Sequence, residues 1–270
     1  MPDYSLMFSP RLRRGLIVAA ALWFLSWLLV LAPAAATVRL LRWSVPQLEL
    51  AAIDGSFWRG SAGQAFVTVG NQRIALGRLD WQLNGWSLLW LHPSAKISSE
   101  WGEQIVTTRL RVNPLGSVRL HELRAALPVE LLKIWAPLPA RGTLALNLDA
   151  VDFSRTTLQK IDGSIDWRRA QWQWGDRWLA LADYQLNVAT HNDGMVAGKI
   201  SGAGDLAATG TLTANLETRA YDLNAQLSAS RALPQEFRDS LVFLLRAQPV
   251  NTDASAGGPV VMKLQRTGSW

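Results

Sequence analysis

Cysteine is absent from this chain of 270 residues, and histidine is scarce. Without cysteine there is no disulfide framework, thiolate metal site, iron–sulfur site or cysteine nucleophile. The three histidines, His92, His121 and His191, lie far apart in the sequence, so a zinc centre or a histidine-based triad has few candidate residues. The composition therefore predicts neither a metal cofactor nor a thiol-based reaction.

Charged residues are also few, at 18%, and the net charge is a modest +6. The cations are mostly arginine and are scattered, and no block of five or more basic residues marks a nucleic-acid or lipid-headgroup surface. Apolar residues make up 49% of the chain, which is enough for a sizeable core. We therefore expect a folded protein without a nucleic-acid partner.

One long apolar run stands near the N-terminus. Residues 15–38 form an uncharged run of 24 residues, and residues 15–36 are its apolar part. As a helix this run would be about 36 Å long, enough to cross a bilayer core of about 30 Å. Arg11, Arg13 and Arg14 precede it, and positive residues stay on the cytoplasmic side of a membrane. The run therefore predicts a transmembrane anchor with a cytoplasmic N-terminus.

A cleaved secretory signal is the alternative interpretation of the same run. Ala32-Pro33-Ala34 and Ala34-Ala35-Ala36 both resemble the small-residue pattern of a cleavage site. The run is longer than the apolar region of about 7–15 residues in a signal peptide, which favours an uncleaved anchor. The predicted division is a cytoplasmic N-terminus at residues 1–14, a single-pass anchor in a bacterial inner membrane at residues 15–36 and a periplasmic β-domain at residues 37–270.

After the anchor, apolar and polar residues alternate as in half-buried β-strands. The clearest apolar positions are Leu144, Leu146, Leu148 and Ala150, and Tyr221, Leu223, Ala225, Leu227 and Ala229. Short turn signals such as Gly70-Asn71 and Asn113-Pro114 separate such segments. Two short helices are expected at residues 128–135 and 234–247. We predict a mainly β fold, in which a long antiparallel meander forms a curved sheet, a groove or a sandwich.

Two local patterns add detail to this meander. The parity of the apolar residues changes at Gly77, where a β-bulge would return both sets to one face. Trp172 and Trp174 precede Gly175-Asp176 and Trp178, which predicts a hairpin whose tryptophans cover one face. A one-sided sheet of this kind has an apolar face that is suited to contact with a partner protein or with lipid. The candidate contact residues are Leu144, Leu146, Leu148, Tyr221, Leu223 and Leu227.

Motifs for chemistry are few. Residues 202–207 fit a loose G-x-G-x-x-A pattern, but they continue into strand and turn residues instead of a helix, so a dinucleotide site is rejected. Asp162 and Asp166 are candidates for a catalytic acid pair. They are the basis for one hypothesis of function, a periplasmic carbohydrate-active enzyme. Solvated strand positions are the simpler interpretation of both carboxylates. We therefore expect no catalytic residue and no enzyme activity.

Five segments follow one another along the chain. They are residues 52–62 (AIDGSFWRGSA), 76–83 (LGRLDWQL) with Leu88-Leu89, 127–132 (LPVELL) with 141–144 (RGTL), 163–167 (GSIDW) and 266–270 (RTGSW). In this order they resemble the protein N family of the bacterial type II secretion system. Together with the anchor, the resemblance covers nearly the whole chain.

The resemblance implies an inner-membrane accessory component of the machine that exports folded proteins across the outer membrane. It implies other inner-membrane or periplasmic components of that machine as partners, and a likeness to elongated β-groove proteins associated with lipid movement. It implies no catalytic, cofactor-binding or metal-binding residue. The leading hypothesis is a structural and interaction protein, and the second is a periplasmic protein that binds lipid in a β-groove.

Overall fold

The computed structural model describes residues 45–70, 72–85, 87, 92–113, 116–134, 138–154, 157–191, 194–245, 248–249 and 259–269, together with scattered positions between 16 and 39. Most of these residues form β-strands, which confirms the predicted mainly β fold. The strands are β1 (Leu48–Gly55), β2 (Arg59–Val69), β3 (Gln72–Leu83), β4 (Ser94–Trp101), β5 (Gln104–Val112), β6 (Ser117–Pro128), β7 (Ala140–Ser154), β8 (Thr157–Trp174), β9 (Arg177–Ala180), β10 (Ala182–Thr190), β11 (Met195–Gly204), β12 (Leu206–Asn215), β13 (Ala220–Ala229), β14 (Gln248–Pro249) and β15 (Val260–Ser269).

The two helices predicted between strands are also present. A 3-10 helix covers Val129–Ile134, inside the predicted range 128–135. An α-helix, α1, covers Gln235–Leu245, inside the predicted range 234–247. Pro234 directly precedes α1, where its fixed φ suits the start of a helix.

All the described strands join one antiparallel sheet, and nearly every strand pairs with its neighbours in the sequence. Hairpin strand β9 pairs with β8 alone, while β10 continues the sheet beside β8. At the far end, β15 lies between β13 and the short β14. The described strands form one open sheet from β1 to β14, so the sandwich, which requires a second sheet, is not formed.

Bulges set which side chains share a face. At Gly77, where φ is +73°, the predicted change of parity is confirmed, because Leu76 and Leu79 pack against the same apolar cluster. In β7 the predicted alternation is wrong at its last residue. The register with β8 shifts after Leu148, so Ala150 leaves the apolar face and Val151, 5% exposed, takes its place.

The tryptophan hairpin has the predicted turn but not the predicted single face. β8 ends at Trp174 and β9 begins after Gly175, as expected. Trp172 and Trp174 pack on the apolar face, whereas Trp178 pairs with Gln173 and points to the other side. There the guanidinium carbon of Arg141 lies 4.0 Å from the centre of the Trp178 ring.

Apolar side chains collect in three clusters along the sheet. The buried members of the N-terminal cluster are Ala34, Val38, Leu50, Ala62, Ala65 and Trp81. Those of the central cluster are Leu148, Val151, Val188, Val196 and Leu216. Those of the C-terminal cluster are Ala170, Leu181, Leu206, Ala229, Leu233, Phe237, Leu241 and Met262.

The predicted anchor at residues 15–36 lies largely outside the described residues, and Arg11, Arg13 and Arg14 lie wholly outside them. Within the described part of the chain, no helix combines the length and the apolarity needed to cross a bilayer.

Candidate functional site

One face of the sheet carries a continuous row of small and apolar residues that crosses twelve strands. Each member of this row is the direct cross-strand partner of the next, so all of them point to the same side, which we call the apolar face. The row is Ala62, Leu79, Ser99, Val106, Ala125, Leu146, Ile165, Leu186, Ile200, Gly210, Ala225 and Leu264. The opposite side is the polar face.

The one hydroxyl in this row is already satisfied. Ser99 donates a 2.6 Å hydrogen bond to the carbonyl of Leu76 on the neighbouring strand. The hydroxyl therefore does not interrupt the apolar face with an unpaired polar group. The side chains of this row are removed from water only where another part of the chain packs on them.

The register places all six predicted contact residues on the apolar face. Leu146 belongs to the row, and its strand neighbours Leu144 and Leu148 share its parity. On β13 the row passes through Ala225, so the alternate residues Tyr221, Leu223 and Leu227 point to the same side. Leu148 is buried at 6% exposure, and the other five are half-buried. Contact of these side chains with a partner or with lipid stays a prediction.

The apolar face is covered at its two ends by different parts of the chain. At the N-terminal end Ala34 and Val38, 2% and 5% exposed, pack on β1–β3. At the C-terminal end α1 packs Phe237 and Leu241 against residues that include Met262. The described members of the central cluster all come from strands and one turn, and none comes from a helix. Among the described residues, helices therefore cover the two ends of the apolar face, and none covers its middle.

Three glycines on the apolar face each face an aromatic side chain from the paired strand, a feature that the sequence interpretation missed. Trp81 lies over Gly60, Tyr184 over Gly202 and Tyr221 over Gly268. A Cβ on any of these glycines would collide with the ring. The sequence signal is a glycine inside a strand, but only the register identifies the aromatic partner.

The carboxylates proposed as an acid pair are not brought together. Asp162 and Asp166 lie four residues apart on the polar face of β8, which separates their Cα atoms by about 13 Å. Two catalytic carboxylates in a glycosidase lie within about 5–9.5 Å of each other. Arg168 lies 3.6 Å from Asp166. The distance therefore gives no support to a carbohydrate-cleaving site at these residues.

Asp162 has a structural role at the β8–β10 junction. Its carboxylate accepts a 2.7 Å hydrogen bond from the backbone N–H of Thr190 and lies 2.9 Å from the ammonium of Lys160. The hydroxyl of Thr190 in turn accepts from the N–H of Ile161 and donates to its carbonyl, at 2.8 and 2.9 Å. Burial acts to raise the pKa of Asp162, but the contacts with Thr190 and Lys160 outweigh it and hold the pKa below its ordinary value.

Other candidate chemistry is also unassembled in the described residues. No group of three metal-ligating side chains converges within the described ranges. The G-x-G-x-x-A segment forms the β11–β12 hairpin, with β11 ending at Gly204 and β12 starting at Leu206. This strand–turn–strand arrangement confirms that it is not the strand–turn–helix of a dinucleotide site.

The fold and its face define an open-sheet β protein that presents one apolar side. The family model described as "Type II secretion system (T2SS), protein N" matches residues 46–249. The chain belongs to this family, which confirms the resemblance found in the sequence.

Individual relatives agree with this assignment. The chain is 29% identical over 248 residues to "Type II secretion system protein N" of Klebsiella pneumoniae, covering 88% of this chain and 89% of the relative. It is 26% identical over 233 residues to the protein of that name from Aeromonas hydrophila, covering 82% and 88%. With the Vibrio cholerae serotype O1 protein it shares 32% identity over 133 residues, 46% of this chain and 50% of that one. No solved structure matches the chain significantly.

Proposed function

We propose that this protein is an inner-membrane-anchored accessory component of the type II secretion machinery, and that it acts as a structural and interaction module. Membership of the protein N family supports a role in type II secretion. The observation that carries the interaction role is the apolar face, which crosses twelve strands and, among the described residues, is covered by helices only at its two ends. A partly covered apolar surface of this kind is typical of an interaction site.

The exposure of the N-terminal segment supports the anchor. The described large apolar side chains between residues 16 and 31 are each more than half exposed: Leu16, Trp23, Phe24, Trp27 and Leu31. Exposed side chains of this size and number require a membrane or a protein to cover them. Together with the arginines before it, this segment supports a single span with the sheet in the periplasm.

Contacts of residues 32–34 with the folded domain support an anchor that is not cleaved. The N–H of Phe57 donates a 2.8 Å hydrogen bond to the carbonyl of Ala32, and Pro33 forms a β-bridge with Ser56. Ala34 is 2% exposed within the N-terminal cluster. Cleavage after Ala34 or Ala36 would remove these residues from the folded domain.

Topology can be tested with single cysteines, because the natural chain has none. We expect an impermeant maleimide to label Ser228→Cys in intact spheroplasts and to label Ser5→Cys only after lysis. The mass of the purified chain is expected to include residues 1–36. Labelling of both positions without lysis, or a mass that lacks the N-terminal residues, would contradict the anchor.

The interaction role can be tested by photocrosslinking in living cells with a probe at Leu146 or Leu223. Asn147 and Asn224 are matched controls, because each is the next residue on the same strand and points to the polar face. We expect adducts with other secretion components at the leucines and not at the asparagines. A probe at Leu227 is expected to crosslink within the chain, since this residue packs against the C-terminal cluster beneath α1. Equal crosslinking from both faces would contradict the proposal.

The alternative function is a periplasmic groove that binds lipid. The observation that favours it is the central cluster, whose half-buried apolar residues Ile165 and Leu186 are direct partners on neighbouring strands. Apolar side chains in this arrangement suit an acyl chain as well as a protein. The same crosslinking experiment separates the two functions, because lipid adducts at Leu146 and Leu223 would favour the groove.

A further inference from the structure

A group of cations lies on the polar face near the strand termini where β2, β4 and β6 begin and β5 ends. We call this group the cationic corner, and its members are Arg59, Lys96, Arg109, Arg111 and Arg119. Register brings them together, because Gln82 pairs with both Arg59 and Lys96, and Lys96 pairs with Arg109. Neighbouring strands are about 4.8 Å apart, so Arg59 and Arg109 lie about 14 Å from each other. All five side chains are exposed.

The cationic corner has more positive charge than its carboxylates neutralise. Arg109 pairs with Glu122 at 2.8 Å, and Arg119 pairs with Asp152 at 2.9 Å. Arg59, Lys96 and Arg111 form no ion pair with any residue that the structure describes. Arg111 also stands directly opposite Arg119, and like charges in this position repel each other. An anion bound at the corner would relieve this repulsion.

A cleft beside these cations adds an aromatic wall. The cleft has a volume of about 660 Å³ and is lined by Trp58 as well as by Arg59, Lys96 and Arg109. The ring of Trp58 lies against Gly85 at the end of β3, where a Cβ would be 3.3 Å from the ring. Tryptophan beside long cationic side chains is the composition of surfaces at a membrane–water interface.

The cationic corner also adjoins the segment that follows the apolar N-terminal run. Ala32 and Pro33 contact Phe57 and Ser56, in the turn that leads directly into Arg59. The connection from β3 to β4 leaves from the same end of the sheet, and its sequence, NGWSLLWLHP at residues 84–93, is rich in tryptophan and leucine. The cationic corner thus lies at the end of the domain that is joined to the proposed anchor.

We propose that the cationic corner docks on the headgroups of anionic lipids in the membrane that holds the anchor. Lipid phosphates accept hydrogen bonds from guanidinium and ammonium groups, which carry the corner's charge. A negative membrane surface attracts cations that lie within a Debye length of it, and the contacts of Ala32 and Pro33 join the cationic corner to the end of the proposed anchor. The inference rests on the anchor proposed above, and it assigns an orientation to the sheet, with the start of β2 toward the bilayer.

A spin label near the lipid surface tests this docking with the full-length chain. Ser94→Cys places the label in the cleft, opposite Arg111, without removing a cation. Ser228→Cys is the control, since it is equally half-buried and on the polar face, but on β13 at the opposite end of the sheet. The chain would be reconstituted in vesicles of phosphatidylcholine, with or without phosphatidylglycerol, that contain a lipid with a paramagnetic metal chelate on its headgroup.

We expect strong relaxation of the Ser94→Cys label by the headgroup chelate, more so with phosphatidylglycerol, and little relaxation at Ser228→Cys. Replacing Arg59, Lys96 and Arg111 together by glutamine should reduce the effect at Ser94→Cys to the control level, since each cation contributes about fivefold to such binding. Salt at about 1 M, which shortens the Debye length to about 3 Å, should do the same. The triple variant should unfold at the same temperature as the parent, because these side chains are exposed.

Equal relaxation at the two labels, or relaxation at Ser94→Cys that ignores lipid charge, would overturn the docking proposal. Alkaline carbonate extraction of the same vesicles tests the anchor separately. A chain that resists extraction but shows no contact at Ser94→Cys keeps the anchor and loses the docking surface. A chain that is extracted, yet shows charge-dependent contact at neutral pH, loses the anchor and keeps the surface.

Discussion

Tyr184 lies across Gly202, its direct partner in the β10–β11 pair, so closely that any side chain on the glycine would meet the tyrosine ring. The Tyr184 hydroxyl donates a 2.8 Å hydrogen bond to the carbonyl of Leu206, and its ring lies 5.7 Å from that of Trp167. Burial raises the pKa of this hydroxyl above its ordinary value, so it keeps its proton and remains a donor. The contacts of Tyr184 therefore connect four strands, β8, β10, β11 and β12.

Replacement of Gly202 by alanine should lower the free energy of unfolding by about 1–3 kcal/mol, because the tyrosine ring must leave its position to admit a methyl group. Urea unfolding followed by tryptophan fluorescence measures the loss. The same substitution in a Tyr184→Ala background should be much less harmful, since the ring is absent. Equal losses in both backgrounds would show that the steric relationship is not the cause.

Phe237 and Phe243 give a matched comparison on α1. Phe237 is 2% exposed and its ring lies 5.3 Å from that of Trp174, whereas Phe243 is 85% exposed. Phe237→Ala should reduce stability by about 3–5 kcal/mol through a cavity in the C-terminal cluster. Phe243→Ala should change stability by less than about 0.5 kcal/mol. Thermal unfolding of the two variants checks the prediction, and similar melting temperatures would mean that α1 does not cover the sheet in this way.

Leu148 and Leu223 both lie on the apolar face, but they differ in how deeply their side chains are buried. Leu148 is buried at 6% exposure in the central cluster, and Leu223 on β13 is half-buried. Leu148→Ala should destabilise the protein by about 2–4 kcal/mol, and Leu223→Ala should have a smaller effect because its side chain keeps some contact with solvent. Asp149→Ala, an exposed neighbour, is the control. Denaturant titration that ranks Leu223→Ala as the more harmful change would contradict the proposed openness of the face.

The lowered pKa of Asp162 predicts that the folded protein loses stability in acid. Its pKa is held below the ordinary value of 3.8, so the charged form is favoured in the folded state. The resulting stability is fully present above the unfolded-state pKa and is lost as the pH falls through the folded-state pKa. Asp162→Asn should therefore be less stable than the wild type at pH 7, and the difference should narrow below about pH 4. Urea titrations at several pH values test this, and a difference that is constant with pH would rule out the charge as its source.

Much of the strand pattern could be predicted because it is local. The alternation from Tyr221 to Ala229 corresponds to β13 almost residue for residue. In β7 the same logic holds to Leu148 and then breaks, because the bulge depends on Gly163 of the neighbouring strand, where φ is +139°. Likewise, the pairing of β8 with β9 places Trp172 and Trp178 on opposite faces. The alternation within either strand does not reveal this relationship.

The six contact residues could be chosen from the sequence because each is apolar in an alternating segment. That they share one face across several intervening strands follows from the register of every pair between β7 and β13. The same is true of the glycine–aromatic pairs. Their members are 18 to 47 residues apart in the sequence, and no motif relates one member of a pair to the other. Roughly, sequence periodicity carries information over one strand, whereas a face is built from many strands.

The mainly β fold, the one-sided strands and the motif order of the protein N family could all be recognised from the sequence, because alternation, turns and motif order are encoded locally. Strand pairing across the whole chain was needed to show that all the described strands join a single open sheet and that α1 and the N-terminal segment cover its ends. The cationic corner shows the difference most plainly, since Arg59 and Arg119 come to lie on the same face and at the same strand ends only when five strands are paired in register. Long-range pairing places such residues, and no local pattern specifies it.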